Sequence, residues 1–260
     1  MTTELHTVLA NDVVAPGILR MTVRPLDPSV TPGAGTRTSV LPGQFHMLKT
    51  LAPEPLLARP ISIHEVDGDD LRFLYEVKGA GTQALADLVA GDGLWITGPC
   101  GNGFRPGDLL GRVLLVAGGI GIAPFPYLAR VLHQAGKAQV TLAAGFRSQP
   151  YSLEDFAPHV PDIRVASEDG SAGVQGRVPV LFDPREFDVV VACGPVPMMR
   201  AVQAICDGAG TRCILSMEAR MACGVGLCLG CTIRTTTGMR RVCIDGPVFP
   251  AEEVIFDAAH

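Results

Sequence analysis

Four cysteines near the end of the chain have a spacing that packing alone does not explain. Cys223, Cys228 and Cys231 follow one another as C-x4-C-x2-C, and Cys243 comes eleven residues later. Plant-type loops hold a [2Fe–2S] cluster with this spacing. Four thiolates must converge on two irons, so the loop carrying the first three has to curl tightly. Gly224, Gly226 and Gly230 supply side-chain-free or left-handed positions for the curl and leave amides able to face sulfur. Four cysteines also suit one tetrahedral zinc. Zinc sites, however, are usually built from two C-x2-4-C knuckles, and Cys243 has no knuckle partner. Disulfides are the plainest reading, and nothing else in the chain looks secreted. The spacing favours iron–sulfur over zinc, and zinc over disulfides.

Two glycine turns point to a second chemistry. Gly118-Gly119-Ile120-Gly121-Ile122-Ala123-Pro124 lies between an apolar strand-like run and an amphipathic helical stretch. A turn of that kind lets a dinucleotide pyrophosphate approach backbone amides at a helix start. Pro124 stands where the usual fingerprint has its third glycine, so a turn needed only for close strand–helix packing is the competing reading. Cys193-Gly194-Pro195-Val196-Pro197 follows another apolar strand and opens another helix. Two such turns at the carboxyl ends of parallel strands would mark one crevice. Arg147 and Ser148, after the second of the parallel strands, could serve a 2′-phosphate. A solvated loop is the plainer reading, and NAD is expected rather than NADP.

In the first hundred residues Arg59-Pro60-Ile61-Ser62 puts a forked cation and a small hydroxyl on one strand, groups suited to a pyrophosphate and to a flavin edge. An ordinary edge strand containing Pro is the plain alternative. Gly79-Ala80-Gly81-Thr82, just before a helical stretch, offers an anion-friendly helix start.

The elements that must position these groups fall into two rhythms. Up to about Phe104 short strands alternate with turns: Thr7–Val14 and Ile18–Val23 as a hairpin about Ala15-Pro16-Gly17, then Gly43–Leu48, Arg59–His64, Asp70–Val77 and Leu94–Thr97. One helix is expected over Thr82–Val89 with Thr82 as its N-cap, and a Pro/Gly/Thr-rich surface loop over Pro28–Thr38. Such a pattern predicts a small β-barrel. After Pro106-Gly107-Asp108 strands alternate with helices. Arg112–Ala117, Gln139–Ala144, Ile163–Ser167 and Asp188–Ala192 are the strands, with helices to about His133 and from Pro197 to Cys206. That predicts a parallel sheet covered on both faces. From Arg212 the chain is expected to leave the sheet as a cysteine-rich appendix.

Composition narrows the function. The chain has 260 residues, 47% hydrophobic and 18% charged, enough apolar material for two cores and too much for disorder. A net charge of −5 offers no basic face to nucleic acid. The apolar run Val113–Leu128 is interrupted by three glycines and two prolines, so no membrane span is expected. Residues 1–15 show no signal-peptide pattern, and scattered Cys100, Cys193, Cys206 and Cys213 suit a reducing cytoplasm. Cys206 and Cys213 are expected to be buried small apolar residues, with Cys100 the same, and Trp95 a barrel core residue. His46 and His64 are read as core or surface residues rather than ligands. Glu218 and Arg220 are taken as helix-surface charges.

Together these pieces resemble a known assembly. Arg-Pro-Ile-Ser at 59–62, Leu-Tyr-Glu at 74–76, Gly-Thr at 81–82 and Gly-Pro-Cys-Gly-Asn-Gly-Phe at 98–104 resemble a ferredoxin-reductase-type flavin domain. Gly-Gly-Ile-Gly-Ile-Ala-Pro and Cys-Gly-Pro resemble its NAD(P) domain. Cys-Gly-Val-Gly-Leu-Cys-Leu-Gly-Cys, followed by Arg-Val-Cys-Ile-Asp-Gly-Pro-Val-Phe at 241–249, resembles the electron-transfer subunit of class 1B dihydroorotate dehydrogenase.

The resemblance implies a β-barrel plus α/β architecture: a ferredoxin-reductase-like FAD barrel over residues 1–106, a Rossmann-like parallel-sheet NAD domain over 107–211 and a small [2Fe–2S] domain over 212–260. FAD would contact Arg59, Pro60, Ile61, Ser62, Leu74, Tyr75, Glu76, Gly81 and Thr82. NAD would meet Gly119, Gly121, Cys193, Gly194 and Pro195, and Cys223, Cys228, Cys231 and Cys243 would hold the cluster. The implied function is passage of electrons from an FMN-containing catalytic subunit, two of each chain, through cluster and FAD to NAD+ in pyrimidine (UMP) biosynthesis. No residue of this chain would act as acid, base or nucleophile on orotate. The alternatives are a related NAD(P)H:ferredoxin-type oxidoreductase subunit with another partner, and a zinc-stabilised binding module.

Overall fold

Pro16 and Gly17 reverse the chain between β1 (Thr2–Ala15) and β2 (Ile18–Pro25), and Gly17 takes the left-handed φ of 73° that this turn requires. The structure, a computed structural model, describes residues 1–26 and 40–256, so the loop expected over Pro28–Thr38 lies outside the described residues. β3 (Phe45–Thr50), β4 (Arg59–Asp67), β5 (Asp70–Glu76) and β6 (Gly93–Cys100) complete a closed antiparallel barrel in the order β1-β2-β5-β4-β3-β6, with β6 returning to β1. Closure removes the open sheet edges. Alternate residues fill the interior: Leu19, Met21 and Val23 of β2 point in, while Arg20, Thr22 and Arg24 do not. The same parity corrects the expectation for Trp95. Leu94 and Ile96 on either side are buried, so the ring between them turns outward and is 42% exposed.

The barrel helix α1 (Ala80–Ala86) starts earlier than expected, with Gly79 as its N-cap. Thr82 is not the cap. It sits one turn in, where its hydroxyl accepts the Lys78 and Gly79 amides at 2.9 and 3.3 Å. That is the reaching-back half of a capping box.

The second half is built on β7 (Gly111–Gly118), β8 (Ala138–Phe146), β9 (Asp162–Ser167), β10 (Val174–Gln175), β11 (Val189–Cys193) and β12 (Arg212–Ser216), which pair in parallel in the order β10-β9-β8-β7-β11-β12. Two helices cover it. Val113, Leu115 and Ala117 of β7 face Phe125, Leu128 and Leu132 of α2 (Phe125–Ala135). Leu114 and Val116 face Met199, Val202 and Cys206 of α3 (Val196–Ala209) on the other side. Gly136 ends α2 in the left-handed conformation, φ 64°. Strict strand–helix alternation does not hold: turns carry the chain from β8 to β9, and Phe156 and Val160 pack in the place of a helix. Cys100, Cys206 and Cys213 are buried as expected.

The expectation that the chain leaves the sheet at Arg212 is corrected. β12 pairs along β11 from Val189↔Arg212 to Cys193↔Ser216. The chain then runs through the cysteine loop and the hairpin β13 (Thr232–Thr235) and β14 (Gly238–Arg241), and returns as β15 (Val248–Pro250), antiparallel to β12. Asn102, at the end of the barrel, fixes that return. Its side chain donates to the Asp245 and Val248 carbonyls and accepts the Val248 amide. Among the described residues no helix is long and apolar enough to cross a membrane.

Candidate functional site

Between the barrel and the sheet lies an open cleft of about 860 Å³. It collects Pro60, Ile61 and Ser62 of β4, Leu74, Tyr75 and Glu76 of β5, and Thr82 of α1. Strand parity divides these residues. Ile61 and Tyr75 send their side chains into the barrel core, where the Tyr75 hydroxyl donates to Asn11 Oδ1 at 2.9 Å and burial pushes its pKa up to about 12. Pro60, Ser62 and Glu76, on the other parity, are only partly buried. Arg59 and Gly81 are not in the cleft lining, yet they are brought together. A Cβ on Gly81 would lie 1.8 Å from Arg59 Nε, so the guanidinium rests on bare backbone. One nitrogen of that guanidinium donates to the Leu57 carbonyl at 2.9 Å. A cation held over a glycine, beside an open cleft lined by Pro60, Leu74 and Thr82, is a donor set that suits a flavin dinucleotide.

The far wall of the cleft was not expected from sequence. It is made by Ser216 at the end of β12, by Met217, Glu218 and Met221 in the irregular chain just after it, and by Ile120 and Ala123 from the glycine turn. Glu218 and Arg220 are in irregular chain after β12, not on a helix surface. The Glu218 side chain is exposed to the cleft, and desolvation by the protein around it raises its carboxyl above the usual range, with Lys78 opposing and Glu76 reinforcing the shift. A charged residue without periodic neighbours carries no sequence signal for such a position.

The glycine turn separates this cleft from a second one. Gly118, Gly119, Arg147, Glu168, Arg177 and Pro195 line a crevice of about 980 Å³ at the carboxyl ends of β7, β8, β9 and β11. The chain order β7, β8, β9 runs one way along the sheet and β11, β12 the other, so the crevice sits at the point where the direction switches. The expected nucleotide residues part company here. Gly119, φ 52°, faces the crevice, and a Cβ there would meet only the Tyr151 hydroxyl at 3.8 Å. Gly121 is a packing glycine instead, since a Cβ would come within 2.2 Å of the Cys193 carbonyl. Gly194 passes against Gly118, and the Cys193 thiol is buried, its pKa raised by burial and by the Glu218 carboxylate. Of the second turn only Pro195 and Pro197 reach the crevice lining. Arg147 also lines it, from the exposed bend that follows β8, and Ser148 is not part of the lining.

The four cysteines come together as two pairs. Cys223 neighbours Cys228, and Cys231 neighbours Cys243, which in turn feels the Cys223 sulfur. Two irons need two thiolates each, whereas one zinc needs all four on a single centre. The Val225 and Cys228 amides donate to Cys223 Sγ at 3.5 and 3.4 Å and hold its pKa down to about 6. The Cys243 amide donates to Cys231 Sγ at 3.4 Å. Burial, with Cys231 adjacent, pushes the Cys243 thiol up to about 12. Amides aimed at sulfur and two thiol pairs are what a [2Fe–2S] cluster requires of its donor set.

Gly224 and Gly226 take the left-handed conformation, φ 67° and 80°, and a third left-handed residue, Leu229 at 60°, precedes Gly230. Thr232 holds that turn by donating its hydroxyl to the Leu229 carbonyl at 2.6 Å. Cys228 is exposed between Leu227 and Leu229, themselves 83% and 61% exposed, while Cys231 and Cys243 are buried.

Comparison with known proteins agrees with this geometry. Residues 218–255 match the family model for the iron-sulfur cluster binding domain of dihydroorotate dehydrogenase B, a range that holds all four cysteines. The electron transfer subunit of dihydroorotate dehydrogenase B (NAD+) of Clostridium acetobutylicum is 43% identical over 84% of this chain and 87% of its own length. That of Streptococcus pneumoniae is 34% identical over 97% and 98%. Among solved structures, an NADH-dependent reduced ferredoxin-NADP oxidoreductase superposes with a TM-score of 0.83 at 26% identity, over 97% of this chain and 90% of that one. The ferredoxin reductase of carbazole 1,9a-dioxygenase shares the fold, with a TM-score of 0.64 at 21% identity over 81% and 66%. At these identities over most of both chains, with the cluster-domain model matched across its four cysteines, this protein belongs to the family of electron transfer subunits of dihydroorotate dehydrogenase B.

Proposed function

We propose that the chain performs its family's electron transfer through three adjoining sites: FAD in the cleft between barrel and sheet, NAD in the switch-point crevice, and a [2Fe–2S] cluster on Cys223, Cys228, Cys231 and Cys243. One observation carries this reading. The Gly118–Ala123 turn walls both the crevice and the cleft, and the segment Ser216–Met221 that walls the cleft ends two residues before Cys223. Two short stretches of backbone therefore connect all three sites. When bound, the flavin supplies exchange of electrons in pairs on its nicotinamide side and singly on its cluster side.

The chain's own residues do the placing. Arg59 meets the flavin pyrophosphate, with Gly81 leaving it room. Ser62 and Thr82 offer hydroxyls at the cleft, and Ile61 and Tyr75 anchor β4 and β5 in the barrel core so that the lining does not shift. Cys223 with the exposed Cys228, and the buried pair Cys231 and Cys243, would supply the two thiolates each iron needs. Arg241 braces the loop: its guanidinium donates to the Gly226 carbonyl at 3.2 Å and its amide to Asp245 at 2.7 Å. The exposed Leu227 and Leu229 beside Cys228 form an apolar rim, and it is there that the FMN-containing catalytic subunit docks, two of each chain in the assembly. Free thiols at Cys100, Cys193, Cys206 and Cys213 suit the cytoplasm.

Chain made anaerobically in iron-replete cells is expected to carry FAD with about two irons and two acid-labile sulfides. With the FMN subunit it is expected to reduce NAD+ at the expense of dihydroorotate. Zinc in place of iron and sulfide would sink the cluster assignment. A complete complex that consumes dihydroorotate without reducing NAD+ would sink the pathway.

A further inference from the structure

The two ends of the nucleotide crevice differ in chemistry. Its inner end, at Gly118, Gly119 and Pro195, abuts the turn shared with the flavin cleft. Its outer end presents Arg147, Glu168 and Arg177, all exposed. The first two are neighbours by register. Phe146 pairs with Ser167, and the ladder runs on through Glu168 N–H to the Phe146 carbonyl and Asp169 N–H to the Arg147 carbonyl. Arg177, just past β10, closes the group with an ion pair from its Nε to Glu168 Oε1 at 3.4 Å. Among the described residues of the lining, Glu168 is the single carboxylate, set among two guanidinium groups.

A dinucleotide whose reacting ring reaches the inner end has to lay its adenosine half toward the outer one, since the crevice follows the carboxyl edge of the sheet. NAD+ and NADP+ differ only there, by a 2′-hydroxyl against a 2′-phosphate of about −1.5 to −2 charge. A carboxylate accepts hydrogen bonds from ribose hydroxyls and repels a phosphate. An arginine already engaged by that carboxylate does not offer its fork to phosphate. We infer that Glu168, by its own charge and by occupying Arg177, is the residue through which this crevice selects NAD+ over NADP+. The inference rests on reading the crevice as the dinucleotide site.

Calorimetric titration of the chain loaded with FAD and cluster tests it. Wild type is expected to bind NAD+ more tightly than NADP+. Glu168→Gln should tighten NADP+ roughly tenfold or more and weaken NAD+ severalfold, because two guanidinium groups then face the phosphate without an opposing charge. Adding Arg177→Ala should remove most of the NADP+ gain. Both side chains are exposed, so the swaps leave the core alone, and flavin content with circular dichroism checks this. Wild type binding neither nucleotide would overturn the crevice assignment, and the role of Glu168 with it. Intact NAD+ binding with NADP+ affinity unchanged in Glu168→Gln would leave the crevice standing and overturn the role of Glu168. A gain that survives in the double variant would overturn the part given to Arg177.

Discussion

Arg59 and Gly81 act as one device although they lie on different elements. The guanidinium occupies the space a side chain at 81 would fill, so its position depends on an absence. If it meets the flavin pyrophosphate, Arg59→Ala removes charge-assisted hydrogen bonds worth roughly 1.5–3 kcal/mol. That corresponds to roughly 10- to 150-fold weaker FAD binding, measured by equilibrium dialysis of the apoprotein. Lys should recover part of the loss, having charge without the fork. Gly81→Ala should weaken FAD through the same contact by displacing the guanidinium. The double variant should then be no worse than Arg59→Ala alone, the signature of two residues sharing one interaction. Full FAD retention in Arg59→Ala would remove the arginine from the site.

Elements are joined in this fold by a few buried polar knots, and these were the least legible part of the sequence. His64 of β4 links the Ala123 carbonyl, before α2, to Asp155 in the turns after β8, at 2.8 and 3.1 Å. Ser152 donates to the same carboxylate, and Arg20 of β2 pairs with it at 3.0 Å. Burial alone would raise the Asp155 pKa. The hydrogen bonds from His64 and Ser152 and the charges of His64 and Arg20 outweigh it and hold the carboxyl below its ordinary value. A depressed carboxyl contributes stability that is complete above the unfolded pKa and is lost as pH falls through the folded one. Asp155→Asn should therefore destabilise the chain by about 2 kcal/mol at neutral pH. Denaturant midpoints should show the gap intact down to the ordinary carboxylate range and closing only below it. A gap that instead closes between pH 8 and 6 would assign the effect to another group.

Why such knots escaped the sequence is physical. Barrel strands, the parallel sheet and the Arg59–Ser62 and Leu74–Glu76 stretches announce themselves by period and turn chemistry, and the structure gathers those two stretches at one cleft. Periodicity says nothing of which glycine packs and which faces a ligand, so Gly121 and Gly119 look alike until Cys193 is placed. Parity was available for Trp95 and was outweighed by its aromatic character. β12 and β15 are five and three residues long, too short for a pattern to place them in the sheet.

At the scale of the whole molecule the question is whether the three sites work in series. The flavin cleft shares one wall with the crevice and another with the cluster loop. Exchange with NADH should therefore need Arg59, the glycine turn and the cleft, but none of the four cysteines. Delivery to or from the partner should need the cysteines as well. Cys228→Ser is the informative change because Cys228 is exposed, whereas Cys231 and Cys243 are buried among core residues and their loss would disturb packing. The variant should lose iron and acid-labile sulfide and keep most of its FAD. It should still oxidise NADH with a small artificial acceptor at a rate within a few-fold of wild type, and with the FMN subunit it should fail to couple dihydroorotate to NAD+. Cluster loss and loss of fold must be kept apart, since metal binding and folding of such a loop are linked. The outer end of the loop contacts the barrel at Met47, beside Gly224, and the Asn102 bonds hold the return strand without help from metal. Circular dichroism should accordingly be unchanged and most of the flavin retained, and an added Asn102→Ala should release the segment and lower both. A folded, flavin-replete, cluster-free complex that couples dihydroorotate to NAD+ at the wild-type rate would show electrons passing by another route, and the serial arrangement would fail.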